Sequence, residues 1–326
     1  MPTLPAHLVA TPVLERLTGE RPGVVLGAGA TACWVDLDGF VVAIATREVP
    51  LLPNAVSLAA GSGGLQRAGA APGSIARFAP GRIDLGTLRI TWDPAAPPAW
   101  DPTVPEATHA APEVLARRGA ALLQPRQPQV AGPDALVREL TAIGLPTATD
   151  PDGVAGLARL FRAVRERDPE PAAPAARELL GRGPGLTPEG DDLLAAVAGT
   201  LAVLGPAAGW ERSLLGSFLA ALVGPAPART TALSATLLQL AARRRLLEPA
   251  GRLLDLGPGG EAAWPAALAR LERLGHGSGR AYAAGIAATT SLLGAGSAPA
   301  YSGRVAHAAT DRDHQRANRR RRPSAP

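Results

Sequence analysis

Near Trp92-Asp93-Pro94 the sequence changes its period, and that break limits what the chain can become. Before it, apolar residues come in short runs or alternate with polar ones, the spacing of strands. "TACWVDLDGFVVAIAT", residues 31–46, sets two apolar runs around Asp36-Leu37-Asp38-Gly39, which predicts a hairpin. "RIDLGTLRITWDP" alternates at Leu88, Ile90 and Trp92, as a half-buried strand does. The stretch between them, "GSGGLQRAGAAPGS", reads as loop. Beyond the break, "DPAAPPAWDPTVPEATHAAP" is too rich in proline for either element and reads as a stiff linker or a wrapped surface segment.

Helical spacing follows. "PDALVRELTAIG" opens on Pro133 and closes on Gly144. "GVAGLARLFRAVRERD" puts Val154, Leu157, Leu160, Phe161 and Val164 on one face. Further helices are expected over about 172–180, 189–204, 210–222, 229–245, 261–273 and 280–293. The expectation is an α+β fold, with a small N-terminal β-rich domain followed by a mostly α-helical C-terminal domain. Its parts are an N-terminal segment 1–21, a β-rich domain 22–94, a proline-rich linker 95–112, a helical domain 113–296 and a disordered tail 297–326.

The apolar share of 46% is mostly Ala, Leu and Val, and aromatics make up only 3%. Such a core favours closely packed helices with small residues at their contacts. The net charge of +5 is concentrated at one end. Residues 311–326, "DRDHQRANRRRRPSAP", hold six arginines and two aspartates, +4, which leaves +1 for the rest. Contact with a polyanion is one use for that tail. A solvated end is the preferred reading, because no aromatic residue stands among the arginines to stack on bases. Nucleic acid is therefore not an expected partner. Cys33, the only cysteine, excludes an intramolecular disulfide and a cysteine-based zinc site. The N-terminus has no basic start followed by an apolar core, so no signal peptide is expected. Leu193 to Leu204, the most apolar stretch, is shorter than the roughly 20 residues of a membrane span. A cytoplasmic protein with no membrane partner is expected.

Chemistry gathers at three helix starts. In "GRGPGLTPEGDDLLAAVAG", Gly183 and Gly185 allow an unusual loop and Thr187 is placed to cap the helix behind Pro188. Gly190 leaves the first turn open, so unpaired N–H groups and the positive dipole end form an anion site in outline. Asp191 and Asp192 follow. Either they only neutralise the dipole, or one binds a cation or accepts hydrogen bonds from a ligand amide or ammonium. "LGHGSGRAYAAGIAATTSLLG" repeats the plan with His276 in a glycine loop, Ser278 as a cap and Gly279 behind it. A histidine there is either structural or a reachable proton donor. "ARTTALSATLLQLA" opens a third helix with Thr230 and Thr231, and Ser234 one turn on. Those hydroxyls either back-bond to the helix or meet an anion or carbonyl oxygen. Three such starts predict one converging pocket for a small anion.

The same residues carry a family resemblance. "GPGLTPEGDDLLA", Gly183 to Ala195, resembles the signature of the AllH-type proteins, associated with the AllH subunit of oxamate carbamoyltransferase. "TTALSATLLQLAARRRLLEPAGRLLDLG", "GHGSGRAYAAG", "VLGAGATACWVDLDGFVVAI" and the later "WDP" are similar to that family too, over roughly residues 20 to 295. The resemblance implies carbamoyl transfer between carbamoyl phosphate and oxamate in purine or allantoin nitrogen catabolism, with FdrA-like partner subunits. On that reading Gly183, Gly185, Thr187 and Gly190 cradle phosphate or carboxylate. Asp191 or Asp192 orients the carbamoyl amide or holds a metal, while His276 and Ser278 supply a proton and a hydrogen bond from the opposite side. No cofactor is expected. Mg²⁺ enters only through a rival reading, a metal-dependent hydrolase or phosphotransferase built on the aspartate pair. Gly277 stands where the family commonly has threonine, and Ala281 where it has an acidic residue. Those departures leave room for a non-catalytic anion-binding or regulatory subunit.

Overall fold

The computed structural model describes residues 1–61, 65, 68–122, 133–142, 146–257, 260–275 and 277–295. His276, Gly144 and the arginine-rich tail lie outside the described residues. Strands dominate the first hundred residues: β1 Thr3–Ala10, β2 Arg21–Ala28, β3 Ala32–Leu37, β4 Phe40–Thr46, β5 Ala55–Leu58, β6 Ile75–Ala79, β7 Arg82–Leu85, β8 Leu88–Thr91 and β9 Ala99–Trp100. Their order is β5-β4-β3-β2-β6-β7-β8-β1-β9, and a further β5–β1 pairing closes the first eight into a barrel. Closure leaves no long open edge.

The expected hairpin lies between β3 and β4. Leu37 pairs with Phe40, and Asp38 and Gly39 both take positive φ, 54° and 80°, which two-residue turns of this hand require. Closure itself depends on the first residues. β1 pairs parallel with β8 through Thr3 to Pro5 and antiparallel with β5 through Ala6 to Val9. The stretch expected as a mere N-terminal segment thus supplies the strand that shuts the barrel.

Helices follow: a short α1 Thr11–Leu14 among the strands, then α2 Pro112–Leu122, α3 Pro133–Ala142, α4 Pro151–Glu166, α5 Ala172–Leu179, α6 Glu189–Leu204, α7 Arg212–Val223, α8 Ala232–Ala241, α9 Glu248–Leu254, α10 Trp264–Glu272 and α11 Ser278–Gly294. The mixed α+β character holds. None of these helices is long and apolar enough to cross a membrane. All sixteen residues of α6 are buried, which suits a helix apolar on every side beyond its acidic first turn. It packs on α11 so closely that a Cβ on Gly285 would meet the Ala196 Cβ at 2.7 Å and the Leu193 carbonyl oxygen at 2.9 Å. The α2–α11 contact is similar, with Gly294 against the backbone of Ala116.

One expected helix, 229–245, is shorter at both ends. α8 runs only from Ala232 to Ala241, Arg244 turns the chain at φ 62°, and the next helix, α9, starts at Glu248, beyond the expected end. The cause is tertiary. The Val104 N–H donates to the Arg244 carbonyl at 2.8 Å and the Leu246 N–H to that of Pro102 at 3.1 Å, so the proline-rich segment takes these groups from the helix.

Two apolar cores result, one inside the barrel and one among the helices. β4 belongs to both: Val42 and Ile44 face the barrel interior, and Ala43 joins the helical core. Its seven residues are all buried. α8 docks on the same strand, the Val41 N–H donating to Thr236 Oγ1 at 3.1 Å, and Leu240 enters the barrel core. This junction builds the wall of a cavity.

Candidate functional site

The chain between α5 and α6 is folded on itself. Gly183 takes φ 112°, and a Cβ there would lie 2.8 Å from the Glu189 nitrogen, so only glycine fits. Gly183 and Gly185 are exposed and lie away from the cavity lining. Helix α6 begins behind Pro188, with no side-chain cap. The Thr187 hydroxyl therefore does not cap it; it pairs with Ser278 Oγ at 2.9 Å. Ser278 is likewise not a cap, since it is the first residue of α11 and Gly277 precedes it as N-cap. Thr231 does cap α8, accepting the Ser234 N–H at 3.1 Å, and its hydroxyl donates to the Leu186 carbonyl at 2.6 Å. Thr230 stands outside that helix and donates to Asp191 Oδ2.

Sequence reasoning expected open amides at the start of α6, and the structure corrects this. The Gly190 N–H donates to the Arg182 carbonyl at 3.0 Å, and those of Asp191 and Asp192 reach the Pro188 carbonyl at 2.9 and 3.2 Å. A Cβ on Gly190 would sit 2.1 Å from the Leu179 carbonyl oxygen. Gly190 is thus required by the approach of the α5 end, and the loop's own carbonyls satisfy the amides that a ligand would have used. Gly279 is similar. Its N–H donates to the Leu274 carbonyl at 3.0 Å, and a Cβ would lie 1.8 Å from that of Leu271.

The three segments nevertheless converge. They meet the barrel around a cavity of about 370 Å³. Thr187, Asp191, Asp192, Ser234, Ser278 and Gly279 line it. Thr31, Ala32, Trp34 and part of the β4–β5 connection form the opposite wall. Tyr282 and Arg273 complete the polar lining on the α10–α11 side, and Arg273 makes no ion pair with a described residue.

The adjacent carboxylates have different surroundings. Asp191 Oδ1 accepts the Gly181 N–H at 2.8 Å, and Oδ2 the Thr230 hydroxyl. Burial raises its pKa, and the hydrogen bonds from Thr230, Gly181 and Ser234 oppose that rise. Asp192 is only 7% exposed and its Oδ2 has no hydrogen-bond partner. Burial pushes its carboxyl up to about 8; the Ser278 hydroxyl opposes the shift, and repulsion from Asp191 and Glu189 adds to it. Near neutral pH Asp192 is therefore largely a neutral acid, a proton donor at the cavity wall. The third acid of that turn, Glu189, is committed elsewhere, accepting the Thr147 N–H at 2.9 Å and its hydroxyl at 3.1 Å. Burial also raises the Tyr282 hydroxyl, helped by the charge of Asp192. Among the described residues no group of three His, Cys, Asp or Glu side chains is placed to hold a metal ion.

Residues 179–290 match the family model of the oxamate carbamoyltransferase subunit AllH. The match takes in all three convergent segments of the AllH-like stretch and leaves the barrel outside it. No curated protein and no solved structure matches the chain.

The sequence reading missed Trp34, Tyr282 and Arg273. Tyr282 had a signal, since it stands four residues after Ser278 and so shares its helix face. Trp34 and Arg273 had none, because their places depend on the barrel and α10 meeting the other helices.

Proposed function

We propose that this chain is a subunit of an oxamate carbamoyltransferase and that the barrel–helix cavity holds the carbamoyl group and its acceptor. Asp192 carries the reading, as a buried carboxyl with one unpartnered oxygen at the cavity wall inside the AllH-like stretch. In the direction of phosphorolysis, phosphate attacks the ureido carbonyl of oxalurate. A carbon–oxygen bond to phosphate forms, the bond from that carbonyl to the oxamate nitrogen breaks, and the nitrogen takes up a proton. Protonated Asp192 is the group to supply it, and the hydrogen-bonded Ser278–Thr187 hydroxyl pair offers one O–H to the carbonyl oxygen as negative charge develops. Asp191, held by Gly181 and Thr230, is a fixed acceptor for the carbamoyl NH₂. Arg273 offers charge to the acceptor's carboxylate. A subunit implies partner chains, and FdrA-like subunits are the ones that the sequence resemblance implies.

The test is carbamoyl phosphate formation from oxalurate and phosphate, with the chain alone and with FdrA-like subunits added. Asp192→Asn is expected to lower kcat by about 100-fold or more, the usual weight of a positioned proton donor, with folding preserved by circular dichroism. Undiminished turnover in that variant removes the role given to Asp192. A second reading, a non-catalytic anion-binding subunit, is favoured by Gly277 and Ala281, where the family commonly carries a hydroxyl and an acid. Oxamate binding without turnover, partners present, would establish it.

A further inference from the structure

The cavity is larger and more apolar than oxamate needs. At about 370 Å³ it has the liquid volume of about twelve waters, and it lies within the roughly 300–1,000 Å³ of pockets that enclose drug-sized ligands. Its polar groups stand on both walls, Asp192, Ser234 and Ser278 on the helices and Thr31 and Glu48 towards the barrel, yet Trp34, Leu237 and Leu247 add apolar surface that no hydrogen bond to a two-carbon acid amide would use. Trp34 and Leu237 are only half-buried, so their faces are available to a guest. Two polar groups face the guest: the Asp192 carboxyl in the lining and the positive charge of Arg273.

We infer that the acceptor in this cavity is an acid amide larger than oxamate, with its amide at Asp192 and an apolar body against Trp34 and Leu237. The amide end rests on the carbamoyl-transfer reading; the apolar body rests on the cavity alone. A carboxylate next to the amide takes the charge of Arg273, and each methylene added to the body moves from water into contact with Trp34, Leu237 or Leu247. The gain should be about fourfold in affinity per methylene buried.

Calorimetric titration of the full chain with oxamate, N-propyloxamate and N-benzyloxamate tests this. The expected result is an affinity that rises along the series, with N-benzyloxamate at least about tenfold tighter than oxamate. Leu237→Trp, which fills the apolar side, should remove that advantage and leave oxamate within about twofold of its original affinity. Trp34→Ala, which takes away contact without adding bulk, should weaken the benzyl compound selectively. A flat affinity across the series overturns the inference, as does an advantage that survives both substitutions. Tight selective binding with no carbamoyl exchange onto any acceptor upholds the apolar body of the ligand and removes the transferase reading, and with it the ligand's role as acceptor. Exchange onto oxamate with a flat series does the reverse.

Discussion

Inside the barrel, Val35, Ile44, Val56, Ile83 and Ile90 fill the space with branched side chains projecting from separate strands. Where α6 crosses α11 at Gly285 there is no side chain between the helices, because Gly285 lies directly against Ala196 and the backbone of Leu193. The first arrangement has volume that can be trimmed, and the second has none to which anything can be added. The difference bears on the site. Ser278, Tyr282 and Gly285 stand at i, i+4 and i+7 on α11, so the glycine contact that locks the two helices also sets two lining residues of the cavity.

Gly285→Leu is the strongest way to break this contrast. Its side chain must displace the Leu193 carbonyl, and the expected loss in urea unfolding exceeds about 3 kcal/mol. Ile83→Val in the barrel should cost only about 0.5–1.5 kcal/mol. Equal losses would show that both cores are packed alike.

The next effect is electrostatic. In the folded chain the Asp192 pKa is about 8, above the ordinary carboxylate value of 3.8. Between those values the folded state keeps a proton that the unfolded state has released, so stability is full below about pH 4 and falls as pH rises towards 8. The slope reaches at most about 1.4 kcal/mol per pH unit. Chemical unfolding at pH 5 and pH 7 should show the wild type weaker at pH 7. Asp192→Asn should flatten most of that difference, with Asp191, raised in the same direction, supplying what remains. The barrel has no matching slope from its buried Cys33, whose thiol titrates at about 11. A wild type equally stable at both pH values would contradict the neutral state assigned to Asp192.

The smallest expected effect sharpens the comparison. Gly216 lies exposed on α7, and a Cβ there meets nothing within 4 Å. Gly216→Ala should therefore raise stability by up to about 1 kcal/mol. A loss instead would mean that glycine serves this helical region for reasons other than contact.

Much of the secondary structure was legible. The Asp38-Gly39 turn follows from local chemistry, as do the bounds of α5 and α6 and the small residues at helix contacts, and each appears where the sequence puts it. The closing strand β1 was not legible, since it pairs with strands about fifty and eighty-five residues away in the chain. Nor was the break after α8. Arginine is a good helix former, and nothing local in Arg243-Arg244-Arg245 announces that the 102–104 segment will claim its backbone.

The sequence by itself settled that hydroxyls, glycines and two aspartates stand at three helix starts. Only the tertiary structure decided what each one does. A glycine allows close approach without saying whose backbone approaches, and at Gly190 and Gly279 it is the chain's own. A hydroxyl bonds to whatever lies within reach, and for Thr187 that is Ser278 rather than a helix end. Two neighbouring carboxylates look alike on paper. Position in the fold gives Asp191 its partners and leaves one oxygen of Asp192 buried and unpaired, because burial and hydrogen bonding belong to the space around a residue rather than to its place in the chain.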